Sequence, residues 1–429
     1  LNKVLLKDWR NMTSTKKNES ISEAALIKYA NLAVQIGVNV QKNQLVIVHS
    51  DLEHAEFARF VQKAAYKAGA SNVVMDWTDE ETTKQQLVYA TVETIAEFPE
   101  WKILRHKAWI NQGAAFIRII SETPGIYNTV PSNRMSLLQK TTRKYLNFYY
   151  EKTRSYEIRW NLVVVPSFTW ATTLFPTFNK EEAVSKLWGM ILKGARADGE
   201  HPFNDWQIHD RNLEARKNFL NYQQFTQLYF SNKHGTELAI GLPEDHQFLG
   251  GSVQDRQGTR FFPNIPTEEV FTVPHKYKIN GKLTASKPLI YGGNIIDDFY
   301  LVFEKGKIID FHASVGQEIL QNIIETEEGT HYLGEIALVF NDSPLAQMNS
   351  LFYNTLLDES TACHIGIGNA SPAGLKKGIH LSESALKEAG LNRSSQLINV
   401  SFGTKDLEVI GLKKDGTKIP LMLSGKIQF

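Results

Sequence analysis

The sequence predicts an α/β protein: an N-terminal, mainly parallel α/β domain followed by a β-rich α+β C-terminal domain. Three observations carry this. Up to about residue 225, apolar runs alternate with amphipathic helical patterns, the arrangement that builds a parallel sheet through helical crossovers. From His234 onward the apolar runs are short and punctuated by glycine and proline, which is the texture of antiparallel strands. At 429 residues the chain also exceeds one ordinary core, so two domains are expected. We place a tail over 1–20, the α/β domain over 21–230 and the β-rich domain over 231–429.

The elements follow in order. Ser20 or Ser22 caps a helix whose apolar residues Leu26, Ala30, Ala33, Val34 and Gly37 recur at helical spacing, and Leu45 to Val48 is a buried strand. An amphipathic helix over Ala55 to Ala68 leads through Gly69 into a strand over Asn72 to Asp76, and Ala114 to Ile120 supplies another. Met135 to Arg154 reads as a helix, Leu162 to Pro166 as a strand, and Glu181 to Ala195 and Asp210 to Phe225 as helices. Beyond the boundary, strands are expected at Thr236 to Ile240, Val270 to Val273, Pro288 to Tyr291, Phe299 to Phe303 and Lys307 to Phe311. Helices return at Gly316 to Glu325 and Ser382 to Ala389, and Asp415-Gly416 turns a final hairpin between Leu407 and Ile427.

Composition narrows the function. Lys+Arg of 47 against Asp+Glu of 46 leaves a net charge of +1, with no global attraction to nucleic acid or to an anionic membrane. No run of about 18 apolar residues is long enough to span a bilayer. The apolar stretch Val4 to Leu6 is too short for a signal peptide, and Met12 reads as a start preceded by an upstream remnant. A single cysteine, Cys363, excludes an internal disulfide and suits a reducing compartment, so a cytoplasmic location is expected.

Generic signatures are missing. Gly250-Gly251, Gly292-Gly293 and the Gly366/Gly368 pair fit neither a dinucleotide fingerprint nor a P-loop and read as turns. His49 and His54 flank Asp51 and Glu53 without the spacing of a zinc-binding helix, so they read as solvated strand-end and helix-start residues. Cys363 and His364 are neighbours on a strand and point to opposite faces, which rules out a nucleophile dyad between them.

Chemistry concentrates between Asn264 and Asn369. Glu268, Glu269, Glu335, Asp358, Glu359 and His364 offer the mixed oxygen and nitrogen donors that suit Zn, Co or Mn. Their long separations in sequence do not by themselves show convergence. The segments Asn264 to Thr272, Leu333 to Val339 and Phe352 to Gly368 nevertheless resemble the thermophilic aminopeptidase family, the metalloexopeptidases of aminopeptidase T, aminopeptidase S and PepS type. Val165 to Ser167, Thr169 to Ala171, Asn212 to Arg216 and Ile240 to Pro243 extend the resemblance over nearly all of the chain after about residue 20.

That resemblance implies release of N-terminal residues from peptides by two divalent cations that activate a water and polarise the scissile carbonyl. It implies a homodimer enclosing the active-site cavity, with the metal positions in the C-terminal part. Position by position, Glu269 falls on the first glutamate ligand, with Glu268 as the alternative, Glu335 on the second, and His364 on the first histidine. The remaining positions depart from the family. A tyrosine ligand is replaced by Ser371, and a terminal His-x-Asp by Asn399 and Ser401. The site is therefore expected to be reduced or defective, holding at most one ion or none, with His380 and Cys363 as candidate substitutes. The alternative reading is a catalytically inactive pseudo-peptidase that binds peptides or a protein partner as a homodimer.

Overall fold

The computed structural model describes residues 21–291 and 294–429; the expected tail, Met12, Ser20 and the Gly292-Gly293 turn lie outside the described residues. Ser22 opens the helix Glu23–Leu32, its hydroxyl accepting from the Ala25 amide at 3.3 Å. The helix runs into a π-turn, Ala33–Gly37, where glycine is required because a Cβ at Gly37 would meet the Asn161 side chain at 2.6 Å. The strands β1 (Leu45–Asp51), β2 (Asn72–Thr78), β3 (Ala115–Ile120) and β4 (Trp160–Val164) are parallel, in the order β2-β1-β3-β4. Leu45, Val46, Ile47 and Val48 are all buried, as a strand covered by helices on both faces requires. The short strand Asn264–Ile265 adds to β4 as the fifth member, so a segment from beyond residue 230 completes the first sheet.

Several expectations needed correction. The helix predicted over Met135 to Arg154 is two helices, Ser132–Tyr145 and Asn147–Arg154, separated at the buried Leu146, whose φ of −102° and ψ of 17° lie outside the helical range. The helix predicted from Asp210 begins earlier, at Pro202, since proline is favoured in a first turn. Helices Glu80–Tyr89, Val92–Ala96 and Glu100–Asn111 were not predicted, because each buries only one or two side chains and so shows little periodicity. His49 and His54 stand at the strand end and the helix start as expected, but both are largely withdrawn from solvent. His54 is buried, and His49 Nδ1 lies 2.8 Å from Asp76 Oδ2 while its ring stacks on Phe116, because β1 continues past its apolar run inside the sheet. Gly366 and Gly368 belong to a strand rather than a turn.

The second half holds two large antiparallel sheets and the short antiparallel pair Val253–Gln254 and Arg260–Phe261. A nine-stranded sheet starts at Gln227–Ser231 and ends with the hairpin Glu408–Leu412 and Lys418–Leu423 followed by the short strand Lys426–Ile427. A four-stranded sheet contains β5 (Glu269–Thr272), β6 (Leu333–Val339), β7 (His364–Gly368) and β8 (Leu397–Ser401), in that order. Val270, Ile336, Leu338, Ile365, Ile367, Ile398 and Val400 turn one face of this smaller sheet into the same hydrophobic core as Leu228, Phe230 and Leu238 of the larger one. Its other face mixes apolar Phe271, Ala337, Val339 and Leu397 with a group of polar side chains. Among the described residues no helix is long and apolar enough to cross a membrane.

The two halves share a core. Leu345, Phe352, Leu356 and Leu357 pack into the N-terminal cluster around Trp170, whose indole also donates to the Phe352 carbonyl. Trp170→Ala should therefore cost about 3–5 kcal/mol of stability. Urea unfolding checks this, and a loss below about 1 kcal/mol would mean that the joint between the halves does not depend on this side chain.

Candidate metal centre

Strand alternation and register assemble the site. Glu269 stands opposite Val339, Ala337 opposite His364, and His364 opposite Ser401. Glu335 stands opposite Gly366, which stands opposite Asn399. Alternate residues share a face, so Glu269, Glu335, His364, Asn399 and Ser401 all project from the side away from the core. Gly366 keeps the middle of that face low. A Cβ there would lie 3.0 Å from Glu335 Cβ and 3.1 Å from Asn399 Oδ1.

His364 is fully buried, with Nε2 3.2 Å from Glu269 Oε2 and 3.9 Å from Glu335 Oε1. A third carboxylate joins from the helix Thr355–Glu359, which Asn354 caps by accepting from the Leu357 amide at 3.0 Å. Its last residue, Glu359, accepts a hydrogen bond from Asn399 Nδ2. The sequence showed Glu359 as one carboxylate among several; only the fold of residues 354–364 shows that it reaches Asn399. Tyr156 was missed altogether. Burial, with the charges of Glu335 and Glu269, pushes its hydroxyl up to about 12, so the phenol keeps its proton beside the two carboxylates.

The charges are strongly coupled. Burial alone would push the His364 imidazole down, but its contact with Glu269 and the charges of Glu269, Glu359 and Glu335 outweigh burial and raise it to about 9. Burial, reinforced by Glu269, pushes the carboxyls of Glu335 and Glu359 up from their ordinary range. The imidazolium is thus the positive charge on which the carboxylates converge.

Glu269 Oε2, His364 Nε2 and Asn399 Oδ1 are buried without a hydrogen-bond partner among the described groups. Orphaned donor atoms of this kind, two carboxylate or amide oxygens and one imidazole nitrogen, match what a divalent Zn, Co or Mn ion takes. Among the described residues no three His, Cys, Asp or Glu side chains are grouped closely enough to hold a metal ion as they stand, and His364 leans on Glu269. Loading would require the His364 proton to leave. In donor chemistry, then, the residues fit a cation, and Glu269, Glu335 and His364 are the ones that would hold it.

The other sequence candidates lie elsewhere. Glu268 is 2% exposed and paired with Arg196, Nη2 to Oε2 at 3.1 Å, on the face opposite Glu269. Cys363 Sγ bonds to the Val339 backbone at 3.4 Å, and burial pushes its thiol up to about 12. His380 is exposed on the 3-10 turn Gly378–His380. Ser371 sits past the end of β7, its carbonyl accepting from the Gly374 amide at 3.0 Å.

The family model for the thermophilic metalloprotease (M29) matches residues 22–427. Aminopeptidase AmpS of Bacillus subtilis (strain 168) is 39% identical over 401 residues, covering 94% of this chain and 98% of its own length. Aminopeptidase 2 of Geobacillus stearothermophilus is 38% identical over 407 residues, covering 95% of this chain and 98% of its own. The solved structure of wild-type AmpT from Thermus thermophilus superposes with a TM-score of 0.89 at 32% identity, over 94% of this chain and 99% of that one. With the fold, the polar sheet face and the sequence relatives in agreement, this chain belongs to the thermophilic metalloprotease (M29) family.

Proposed function

We propose that the chain is a metal-dependent aminopeptidase-family protein with a reduced site, releasing N-terminal residues from peptides at a single divalent cation, Zn, Co or Mn. The observation that carries this is the sheet face itself: Glu269, Glu335 and His364 converge, while neutral Asn399 and Ser401 fill the neighbouring positions. The names of the relatives, Aminopeptidase AmpS, Aminopeptidase 2 and AmpT, support the reaction class. When bound, the cation supplies a Lewis acid for the scissile carbonyl and lowers the pKa of water. Glu269, Glu335 and His364 would hold that cation, the two glutamates supplying negative charge beside the reacting groups. Glu359, oriented by Asn399, adds negative charge beside them. The setting we propose is a cytoplasmic homodimer acting on peptides with a free N-terminus.

One observation favours a second reading. The Asn399 amide is tied to Glu359, so the outer half of the face holds a neutral hydrogen-bonded pair partner where a charged ligand is expected. On that reading the protein is a pseudo-peptidase, a homodimer that binds peptides or a protein partner without cleaving them. Chelator-sensitive turnover of a peptide panel by the pure protein supports the first reading. Its absence with Zn, Co and Mn each supplied supports the second.

Elemental analysis after dialysis against zinc should find no more than one ion per chain, and Glu335→Ala should lose it. Removing a ligand should weaken binding by more than the about 10–100-fold typical of outer-shell partners. A wild-type chain that takes up no ion would sink the one-cation reading. Restoring the family donors together, Ser371→Tyr, Asn399→His and Ser401→Asp, should raise the stoichiometry to two. If uptake stays at one, those three positions are not what limits the site.

Chelated protein should also lose stability as pH rises. The folded-state values of Glu335 and Glu359 lie above their ordinary range, and His364 is raised to about 9. Stability from a raised group is fully present below its unfolded pKa and is lost as pH climbs through the folded one. The melting temperature should therefore fall between about pH 5 and pH 9, zinc should reverse the fall, and Glu335→Gln should flatten it. A pH-independent melting temperature in chelated protein would show that the cluster is not strained in this way.

A further inference from the structure

Beside the donor cluster a cavity of about 230 Å³ opens against Glu359, Asn399 and Ser401, with Glu122 and Asp358 on its wall. Its apolar side is formed by Leu289, Ile290, Leu351 and Tyr353. Glu122 follows directly after β3 in the first sheet and reaches across to the second half, where its Oε1 accepts from Asn354 Nδ2 at 2.8 Å. The same Asn354 caps the helix that carries Asp358 and Glu359. One amide thus fixes all three carboxylates relative to the cavity.

We propose that this cavity seats the first residue of a peptide substrate, with its free α-ammonium held by Glu122 and its side chain against Leu289 and Ile290. The proposal rests on the reading of the chain as an aminopeptidase-family protein and names the part of the substrate that the site selects.

Charge favours a cation here. Glu122, Asp358 and Glu359 face a single lysine, Lys287, whose ammonium is engaged by Ser350 O at 3.2 Å and Thr361 Oγ1 at 2.6 Å. Asp358 is likewise occupied, accepting from the amides of Phe352 at 2.8 Å and Asn354 at 3.0 Å. Glu122 is left with one oxygen free for a ligand. Burial, together with Glu80 and Asp358 and despite the Asn354 hydrogen bond, pushes Glu122 up to about 7, the response of a carboxyl that lacks a nearby free cation. An α-ammonium supplies that charge and can donate to the free oxygen of Glu122.

Size points the same way. The cavity is smaller than the about 300–1,000 Å³ usual for drug-sized ligands, so it suits one residue rather than a whole peptide. It also occupies the side of the sheet where the family resemblance calls for a further histidine and aspartate. The shorter Asn399 and Ser401 leave that space open.

The test uses the full chain after chelation, so that it does not depend on turnover. Isothermal titration with leucinamide and with N-acetyl-leucinamide should show saturable binding of the first and at least about tenfold weaker binding of the second, the factor expected for a hydrogen bond between charged groups. Glu122→Gln, which keeps the acceptor for Asn354, should abolish that preference. Ile290→Trp, which fills the apolar side, should block leucinamide, and thermal melts of both variants confirm that they fold. Equal binding of the two amides, no saturable binding of leucinamide, or a preference that survives in Glu122→Gln would each overturn the proposal. Failure of zinc uptake, measured separately, would remove the one-cation reading and leave this result standing on its own.

Discussion

Four antiparallel strands hold the donor atoms of this protein in place, and their register leaves little freedom. Glu335 and Asn399 both stand opposite Gly366, and Ala337 and Ser401 both stand opposite His364. A slip of one residue in β7 would turn His364 into the hydrophobic core and bring Ile365 onto the polar face. That slip is opposed by Ile365, Ile367, Ile398 and Val400, which are buried against the larger sheet. The apolar residues thus set the register, and the register sets the chemistry.

Electrostatics then works against the same arrangement. Carboxylates withdrawn from water repel one another and favour protonation, and the positive charge on His364 offsets only part of that cost. The sheet tolerates the strain because packing on its other face is extensive. Such a site is poised to exchange a proton for a better-matched cation, since both occupy the space between His364 and the carboxylates. The orphaned atoms Glu269 Oε2 and His364 Nε2 mark where that exchange would take place.

Much of this was legible in the sequence, and what was not has physical causes. The parallel strands were visible because a strand covered on both faces needs an unbroken apolar run, as in Leu45 to Val48. Glu269, Glu335 and His364 stood out through the long segments around them. Helices with a thin buried face, such as Glu80–Tyr89, carried no such signal. The glycine at 366 looked like a turn residue, yet its role is to leave room between Glu335 and Asn399. The approach of Glu122 could not be read either, because 232 residues separate it from Asn354 and only the shared core brings them together. Long-range convergence leaves no periodic trace in a single chain.

The replaced ligands and the cavity follow from one charge argument. Two dications close together need several anionic ligands between and around them, and the family resemblance supplies an aspartate and a tyrosine for that purpose. Here those positions are Ser401 and Ser371, both neutral. With Glu269, Glu335 and Glu359 ionised and His364 neutral, one dication leaves a single negative charge in the cluster. A second dication would reverse the sign and leave an excess of positive charge inside a buried site, which no remaining side chain on this face can balance. On the proposed reading a monocation is better matched: an α-ammonium brings one positive charge against the remaining negative charge of the cluster and against Glu122 beside it, and it arrives only when substrate does. On the proposed reading, neutral Asn399 and Ser401 leave the task of the second cation to the substrate's own N-terminus.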